Sequence, residues 1–551
     1  MPFGTSGRRL LASGLMFVLG GALLGATVAA PSGRSGGAAG LRDGGTLRIA
    51  VTTFDSVDPA VAGFTWARLA TCALLVRYPD KPLPEGDRVV PEVAAGYPGI
   101  SRNATTYTFR IKKGFRFSTG APVTAANFAY ALDRVLSPEL QSTGADFIDD
   151  IVGAQAVRGG KTKHAAGVKV KGNTLSISLK RPAGDFLARL TSPWFCPVPR
   201  GLPIVPEGVD VPPPGSGPYY IAKWTRGREL VLKRNRFYRG GRPHHVAQFV
   251  ATIGDDPDTI TREIDGNQID WGCGFNFGCA DVPTEAAGDL GRKYGVNRSR
   301  FFLRPESTIF YLALNTQRPL FRNNAGLRRA VNFALDRRAL VRARGLYWGR
   351  PSDAYLPLGM PGGDVHPYPL ERPNLAKARA LARDHTRGGT AVLYGTDTDF
   401  QTAQARIVKR SLKRIGIRVT IKQFPFTVLN EKVGTQGEPF DIVFQGWNGL
   451  WVDPFWFINM LLDGRTIAKS GNFNVSYFNV PRYNRLMAGA ARLSGPSRYR
   501  AYGKLAFTLA RDAAPLAVWG NRNTRLFVSK RVGCTILNGY AELDLAAVCL
   551  K

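Results

Sequence analysis

The chain is 551 residues long, 44% hydrophobic and 11% aromatic, which excludes a disordered polymer and is enough for more than one core. Its 74 Lys and Arg against 41 Asp and Glu leave a formal charge of +33, an excess that raises nucleic acid as a partner. The basic residues are spread along the chain in short groups such as Lys161-Thr162-Lys163-His164 and Lys409-Arg410, with no zinc-finger spacing, RNA-binding aromatic signature or basic arm, so they read as a basic surface facing an anionic envelope rather than a nucleic-acid site.

At the N-terminus, Arg8-Arg9 precede an uncharged run from Leu10 to Ala30 that ends in small residues before Pro31. That is the layout of a signal peptide, residues 1–30, with cleavage after Ala29. Leu10 to Leu24, about 15 residues, is short for a bilayer core of roughly 30 Å; an uncleaved anchor is the alternative. No Cys lies near the cleavage region, so a lipobox is absent, and residues 31–44 read as a flexible Gly/Ser/Ala-rich tether. Thr46 to Val51 follows as a buried strand, and Thr105 to Ile111 as a strand closing on Lys112-Lys113-Gly114. Thr124 to Leu136 has helical periodicity with Thr124 as N-cap. Gly167 to Leu179 reads as a hairpin. Gly215-Ser216-Gly217-Pro218-Tyr219-Tyr220 delivers an aromatic pair into a strand, and Glu229 to Lys233 is a second strand running into an Asn-centred turn. Ala247 to Ile253 is a strand, and a helix surrounds Asp258 to Asp265.

From Arg304 the texture becomes α/β. Thr308 to Asn315, Ala391 to Tyr394 and Ile417 to Gln423 are strands. Gly326 to Arg344, Leu375 to His385 (N-cap Asn374) and Phe400 to Ile415 are helices. This alternation implies crossovers on a largely parallel sheet. Leu516 to Trp519 and Arg525 to Val528 are strand-like, and a Cys-containing tail ends the chain.

Six cysteines in an exported chain read as structural disulfides. Cys273–Cys279 and Cys534–Cys549 are the local candidates, leaving Cys72 with Cys196. Metal binding would need close ligand pairs, and there is no Cys-x-x-Cys and no His near Cys273 or Cys279. Catalytic signatures fare no better. Gly33-Arg34-Ser35-Gly36-Gly37 lies in the tether, where it cannot form a nucleophile elbow. Gly160-Lys161-Thr162 lacks the Gly that a phosphate loop requires five residues earlier. His164, His244, His245, His366 and His385 read as surface residues. No catalytic residue, metal or cofactor is expected.

The segments from Gly45-Thr46-Leu47-Arg48-Ile49-Ala50, Val57-Asp58-Pro59 and Tyr107 to Gly114, through Gly215 to Tyr238, to Ile264-Asp265-Gly266-Asn267 and Leu312 to Asp336-Arg337, stand in an order that resembles the extracytoplasmic solute-binding proteins of ABC importers, dipeptide/oligopeptide-binding family (family 5). The resemblance runs from about residue 44 to the end. It implies an α/β, two-lobed periplasmic-binding-protein-like fold (type II) with two hinge crossings, near Phe301–Ser307 and Ala517–Arg522, and an extra subdomain in the first lobe. Lobe I is expected at 45–303 and 520–551, with the insertion at about 75–200, and lobe II at 304–519. The implied function is capture of a peptide or peptide-like solute by hinge closure and delivery to an ABC permease complex, whose ATPase supplies the energy. The protein is expected to be monomeric, outside the cytoplasm, and without a nucleic-acid partner. A sensor for a non-peptide solute such as a sugar, and an extracytoplasmic enzyme on the same scaffold, are the alternatives.

The richest candidate cleft wall is Gln445 to Phe457, where Trp447, Asn448, Leu450, Trp451 and Asp453 combine aromatics with one carboxylate at a strand end. The other candidates are Phe54 and Asp55 in the first loop, and Trp271, Phe275 and Asn276 in the Cys273–Cys279 segment. The wall resembles the family's Gly-Trp…Asp-Pro ligand loop, in which an Asp three residues before the Asp-Pro pairs with the peptide's α-amino group. Here that position is Leu450. A buried ammonium without its counter-charge costs roughly 2–5 kcal/mol, enough to erase micromolar affinity.

Overall fold

The computed structural model describes residues 42–551 except 62–65, 83–84, 274–281, 361–362 and 538–542. The signal peptide, most of the tether, Phe275, Asn276 and the Cys273–Cys279 pairing therefore lie outside the described residues. No helix among those described is long and apolar enough to cross a membrane.

Strand β1 (Thr46–Val51) opens the first lobe. The chain then leaves for an inserted subdomain, where β2 (Gly99–Ile100), β3 (Thr106–Arg110), helix α1 (Ala125–Leu136), β4 (Val168–Lys171) and β5 (Thr174–Ser178) build a sheet of order β2-β3-β5-β4. α1 starts where expected, because the Asn127 side chain accepts the Thr124 N–H at 2.9 Å and so satisfies an otherwise orphaned donor. The chain returns as β6 (Tyr219–Thr225), β7 (Glu229–Arg234), β8 (Gln248–Ile253) and β9 (Trp271–Cys273), completing the first-lobe sheet β9-β1-β8-β7-β6. β1 lies parallel to both β8 and β9; β6, β7 and β8 are successively antiparallel.

The second lobe contains β10 (Phe301–Pro305), β11 (Thr308–Leu314), β12 (Gly349–Pro351), helix α2 (Leu375–Ala382), β13 (Thr390–Thr396), helix α3 (Asp399–Lys413), β14 (Arg418–Phe424), β15 (Ile442–Asn448), helices α4 (Pro454–Leu462) and α5 (Gly495–Thr508), and β16 (Leu516–Phe527). The sheet order is β10-β16-β11-β15-β13-β14, with β12 on β16. Only β15, β13 and β14 are parallel to one another. The largely parallel sheet expected from sequence is instead mixed, because helical crossovers join only those strands, while the hinge strands enter from the other lobe and pair antiparallel. Residues of β11 alternate between two cores, Ile309, Tyr311 and Ala313 on one face and Leu312 and Leu314 on the other. The expected helix Gly326–Arg344 is two, Ala325–Ala334 and Arg337–Arg342. Leu335 turns extended, and the Asp336 side chain accepts the Ala339 N–H at 2.9 Å, capping a new helix.

Two strand-like segments near the C-terminus are one strand. β16 pairs with β11 through Leu516–Gly520 and with β10 through Asn523–Phe527, and Val528 then bridges to Trp271 of β9. One strand thus runs from the second-lobe sheet to the first. The tail beyond it packs Leu545, Val548 and Leu550 into the core that holds Leu47, Ile49, Phe249 and Trp271.

The motifs that carried the resemblance turn out to be junctions. Asp58 is fully buried and grips Arg134 of α1 at 2.8 and 3.1 Å, while also accepting the Ala60 and Val209 N–H groups. Burial opposes its charge, but Arg134 holds its carboxyl below the usual range. At Gly217 a Cβ would stand 2.6 Å from the Ala70 carbonyl and 2.7 Å from the Cys72 nitrogen, so only glycine admits that backbone approach. The Asn235 side chain donates to the Gly217 carbonyl at 3.0 Å. Disulfides Cys72–Cys196 and Cys534–Cys549 are formed, with Cα–Cα distances of 5.5 and 5.0 Å.

Arg242 ties the tail to the subdomain junction, reaching Asp80 at 3.2 Å and Asp544 at 3.5 Å. Arg77 reaches Asp80 at 2.9 Å and Glu92 at 3.7 Å. Three buried carboxylates thus face two guanidiniums. Burial and the neighbouring Asp80 push Asp544 up to about 7. The folded state therefore binds a proton that the unfolded chain releases near pH 4, so this group's contribution to stability is present below about pH 4 and is lost as pH rises toward 7. Asp544→Asn is expected to reduce that slope, read from urea melts across the interval. Replacing Cys72 and Cys196 by Ser opens a loop of sequence separation 124 and is expected to cost about 2–5 kcal/mol, seen as a lower Tm in calorimetry.

Candidate functional site

β15 ends at Asn448, paired with Thr308 of β11, and the chain turns into α4 through Gly449–Asp453. Gly449 is held at the hinge crossing, its N–H donating to the Ser307 carbonyl at 2.7 Å. The turn exists because Asp453 caps α4, accepting the Phe455 N–H at 2.8 Å, and Pro454 supplies a first helical residue that needs no donor.

This loop carries a stacked aromatic wall. The Trp447 ring lies 5.1 Å from Trp456 at 27°, and its indole N–H donates to the Trp456 carbonyl at 2.9 Å. Trp456 in turn donates to the Asn448 carbonyl at 2.6 Å. Trp451 meets Trp456 at 4.4 Å between centroids. Trp447, Asn448 and Leu450 are half-buried, whereas Trp451 is only 2% exposed. Its indole N–H is buried with no acceptor among the described residues, an unspent donor within the loop.

The subdomain closes over this wall. Phe147 packs edge-on against Trp451 at 5.3 Å and Trp456 at 5.7 Å. The Val452 N–H donates to the Tyr78 hydroxyl at 2.8 Å. Arg189, chelated by Asp185 and Asp150 at 2.8 and 2.9 Å, sits 5.8 Å from the Phe455 ring centroid. Burial disfavours both Asp185 and Arg189 as ions, but their attraction holds the carboxyl below and the guanidinium above their ordinary values. A Cβ at Gly184 would lie 2.3 Å from the Leu493 carbonyl and 2.7 Å from Arg498 Nη1. Tyr78, Phe147 and Arg189 belong to the wall only through the fold; nothing in their local sequence pattern marks them.

The loop's one carboxylate is already engaged. Arg498 of α5 donates to both Asp453 oxygens, at 2.7 and 3.0 Å. Burial pushes the Asp453 carboxyl up and Arg498 pulls it down; the two short bonds decide for the ion pair, and Arg498 is correspondingly held above its ordinary value. Asp453 therefore serves as helix cap and ion-pair partner, not as a free counter-charge, and Leu450 leaves the alternative position apolar.

Two other candidates sit away from this wall, as corrections to the sequence reading. Phe54 is buried against Trp66 and Trp224, with centroids 6.1 and 6.5 Å away. Trp271, fully buried in β9, meets Trp66 at 6.1 Å. Both fill the first-lobe core beneath β1, because alternation along β9 and the short loop after β1 turn large apolar rings inward. Asp55 beside Phe54 is exposed. No group of three or more His, Cys, Asp or Glu among the described residues is placed to hold a metal.

Residues 88–469 match the family model described as "Bacterial extracellular solute-binding proteins, family 5 Middle". The periplasmic oligopeptide-binding protein OppA of Escherichia coli (strain K12) is 26% identical over 459 residues, covering 78% of this chain and 80% of that protein. Protein XP55 of Streptomyces lividans is 25% identical over 453 residues, covering 77% and 74%. Among solved structures, clavulanic acid biosynthesis oligopeptide binding protein 2 superposes with a TM-score of 0.81 at 25% identity over 92% of this chain and 96% of that one. The unliganded open form of the murein tripeptide binding protein MppA does so with a TM-score of 0.77 at 20% identity, over 93% and 98%. The two sheets, the crossing strands between them and the inserted subdomain are thus the two-lobed fold of this group, and the chain belongs to the family 5 bacterial extracellular solute-binding proteins.

Proposed function

We propose that this chain is an exported receptor that captures a peptide or peptide-like solute between its lobes and delivers it to the permease of an ABC importer. Binding without chemistry is the role of the family, and names such as oligopeptide-binding and murein tripeptide binding protein among its relatives support a peptide-like cargo. Lobe I is taken as residues 45–303 and 520–551, with the subdomain at about 75–200, and lobe II as 304–519, the second boundary falling within β16. The solute would meet Trp447, Asn448, Leu450 and Trp451 from the second lobe and Asp55 from the first. Ligand contact with both lobes would favour closure.

One observation narrows the cargo. With Leu450 at the turn and both Asp453 oxygens taken by Arg498, the wall offers no free carboxylate to an α-amino group. Solutes whose amino end is blocked, cyclised or neutral fit it better, and the unspent Trp451 indole N–H would donate to a carbonyl once the lobes part.

A thermal-shift screen of the mature protein with di- to penta-peptides, their N-acetylated forms and sugars tests this reading. Ligand at 100 times its Kd adds about 2.7 kcal/mol. Acetylated peptides are expected to raise Tm at least as much as free ones, and Leu450→Asp is expected to reverse that preference by about tenfold or more in Kd. Hits confined to sugars would remove the peptide reading. Within the wall, Trp451→Ala is expected to cost about 3–5 kcal/mol of stability. Trp447→Ala, at a half-buried position, is expected to weaken solute binding with Tm held within a few degrees; a large Tm loss with affinity intact would make it a core residue only.

A further inference from the structure

The +33 charge is not evenly distributed. Between Arg372 and Lys422 the sequence holds twelve Lys and Arg against three Asp, and all twelve cations are exposed. This stretch is α2, β13, α3 and the edge strand β14. Ordinary solvated faces intersperse both signs; this one does not.

Within α3, Arg406, Lys409, Arg410 and Lys413 recur at helical spacing, so they share one face and span about 10 Å of axis. The opposite face, Gln404, Ala405, Val408, Ser411 and Leu412, is buried. Arg379 of α2 donates through Nε to the Arg414 carbonyl at 3.1 Å, which sets this arginine beside the end of α3. The acidic partners in the neighbourhood are used elsewhere: Glu371 pairs with Arg338 and Glu438 with Lys432. Among the described residues, no ion pair neutralises the α3 stripe.

We propose that this α2–α3 face of the second lobe is a docking surface for anionic phospholipid, holding the receptor against the outer surface of the membrane that carries its permease. Each Lys or Arg near an anionic surface adds to adsorption, and the sum is sensitive to salt. A strand of nucleic acid is the poorer occupant, because Arg406 to Arg414 contains no aromatic residue on which bases could stack.

The test is cosedimentation of the full mature protein with phosphatidylcholine vesicles, with and without phosphatidylglycerol, at low and high salt. Binding is expected only with phosphatidylglycerol, and is lost at high salt. The variant R406E/K409E/R410E/K413E is expected to bind those vesicles more than about tenfold more weakly. The variant K161E/K163E/K169E/K171E, with the same change in net charge at exposed subdomain positions, is expected to retain most of the affinity. If the first variant does not fold, glutamine at the same four positions replaces it, with a smaller loss expected. Equal loss in both variants would reduce the effect to net charge. Equal binding to pure phosphatidylcholine would overturn the proposal.

Discussion

One strand sets what the two lobes can do relative to each other. β16 belongs to the second-lobe sheet through β11, to the crossing through β10, and to the first-lobe sheet through the Val528–Trp271 bridge. At the crossing, Glu306 accepts from Arg522 at 2.8 Å and from Thr524 at 2.9 Å, and the Asn521 side chain donates to the Thr308 carbonyl at 2.6 Å. A sheet is stiff along its strands and twists about them, so two antiparallel strands bound by a buried carboxylate confine the lobes to rotation about one line. The Gly449–Asp453 turn is anchored to this same place through Ser307. The aromatic wall is thus tied directly to the crossing.

The subdomain supplies a second constraint, far from the hinge in sequence. Phe147, Tyr78 and the Asp185–Arg189 pair hold the outer side of the wall, so the loop is fixed from the second-lobe core and from the insertion together. Charges in this contact are spent internally: Asp453 on Arg498, Asp185 on Arg189. Breaking one member of such a buried pair costs about 3–5 kcal/mol, whereas the intact pair adds little net stability. With these pairs made, the stretch from Trp447 to Asp453 holds no carboxylate that is not already engaged, and the side chain at Leu450 is apolar.

Much of the architecture was legible because local signals and global fold agree. Thr124 and Asn374 announced helix starts through capping chemistry, and β1, β7 and β8 announced themselves through strand periodicity. The failures have physical causes. Gly326–Arg344 carries continuous amphipathic spacing, and only the side chain of Asp336, a better cap than helix interior, divides it. Strand direction in the second lobe is invisible to periodicity, since β11 is buried almost throughout and β15 through its first three residues, whichever way they run. For the wall, sequence located Trp447 to Asp453 but not Tyr78, Phe147 or Arg189, which lie hundreds of residues away and meet it only in three dimensions. Phe54 and Trp271 misled in the opposite sense: an aromatic beside a loop is as well used under a sheet as in a cleft.

The tail has a consequence for how the molecule is made. Leu47 and Ile49 near the start share a core with Leu545, Val548 and Leu550 at the end, and Arg42 bridges Leu550. The second-lobe sheet needs β16, and the first-lobe core needs the residues that follow it. The first-lobe core is therefore filled only when residues 545–550 reach residues 47–49, and the entropy of joining such distant segments slows that step. In a family of extracellular proteins, such a long-range closing step leaves the apolar side chains of the first-lobe core uncovered for longer than a core built from neighbouring segments would.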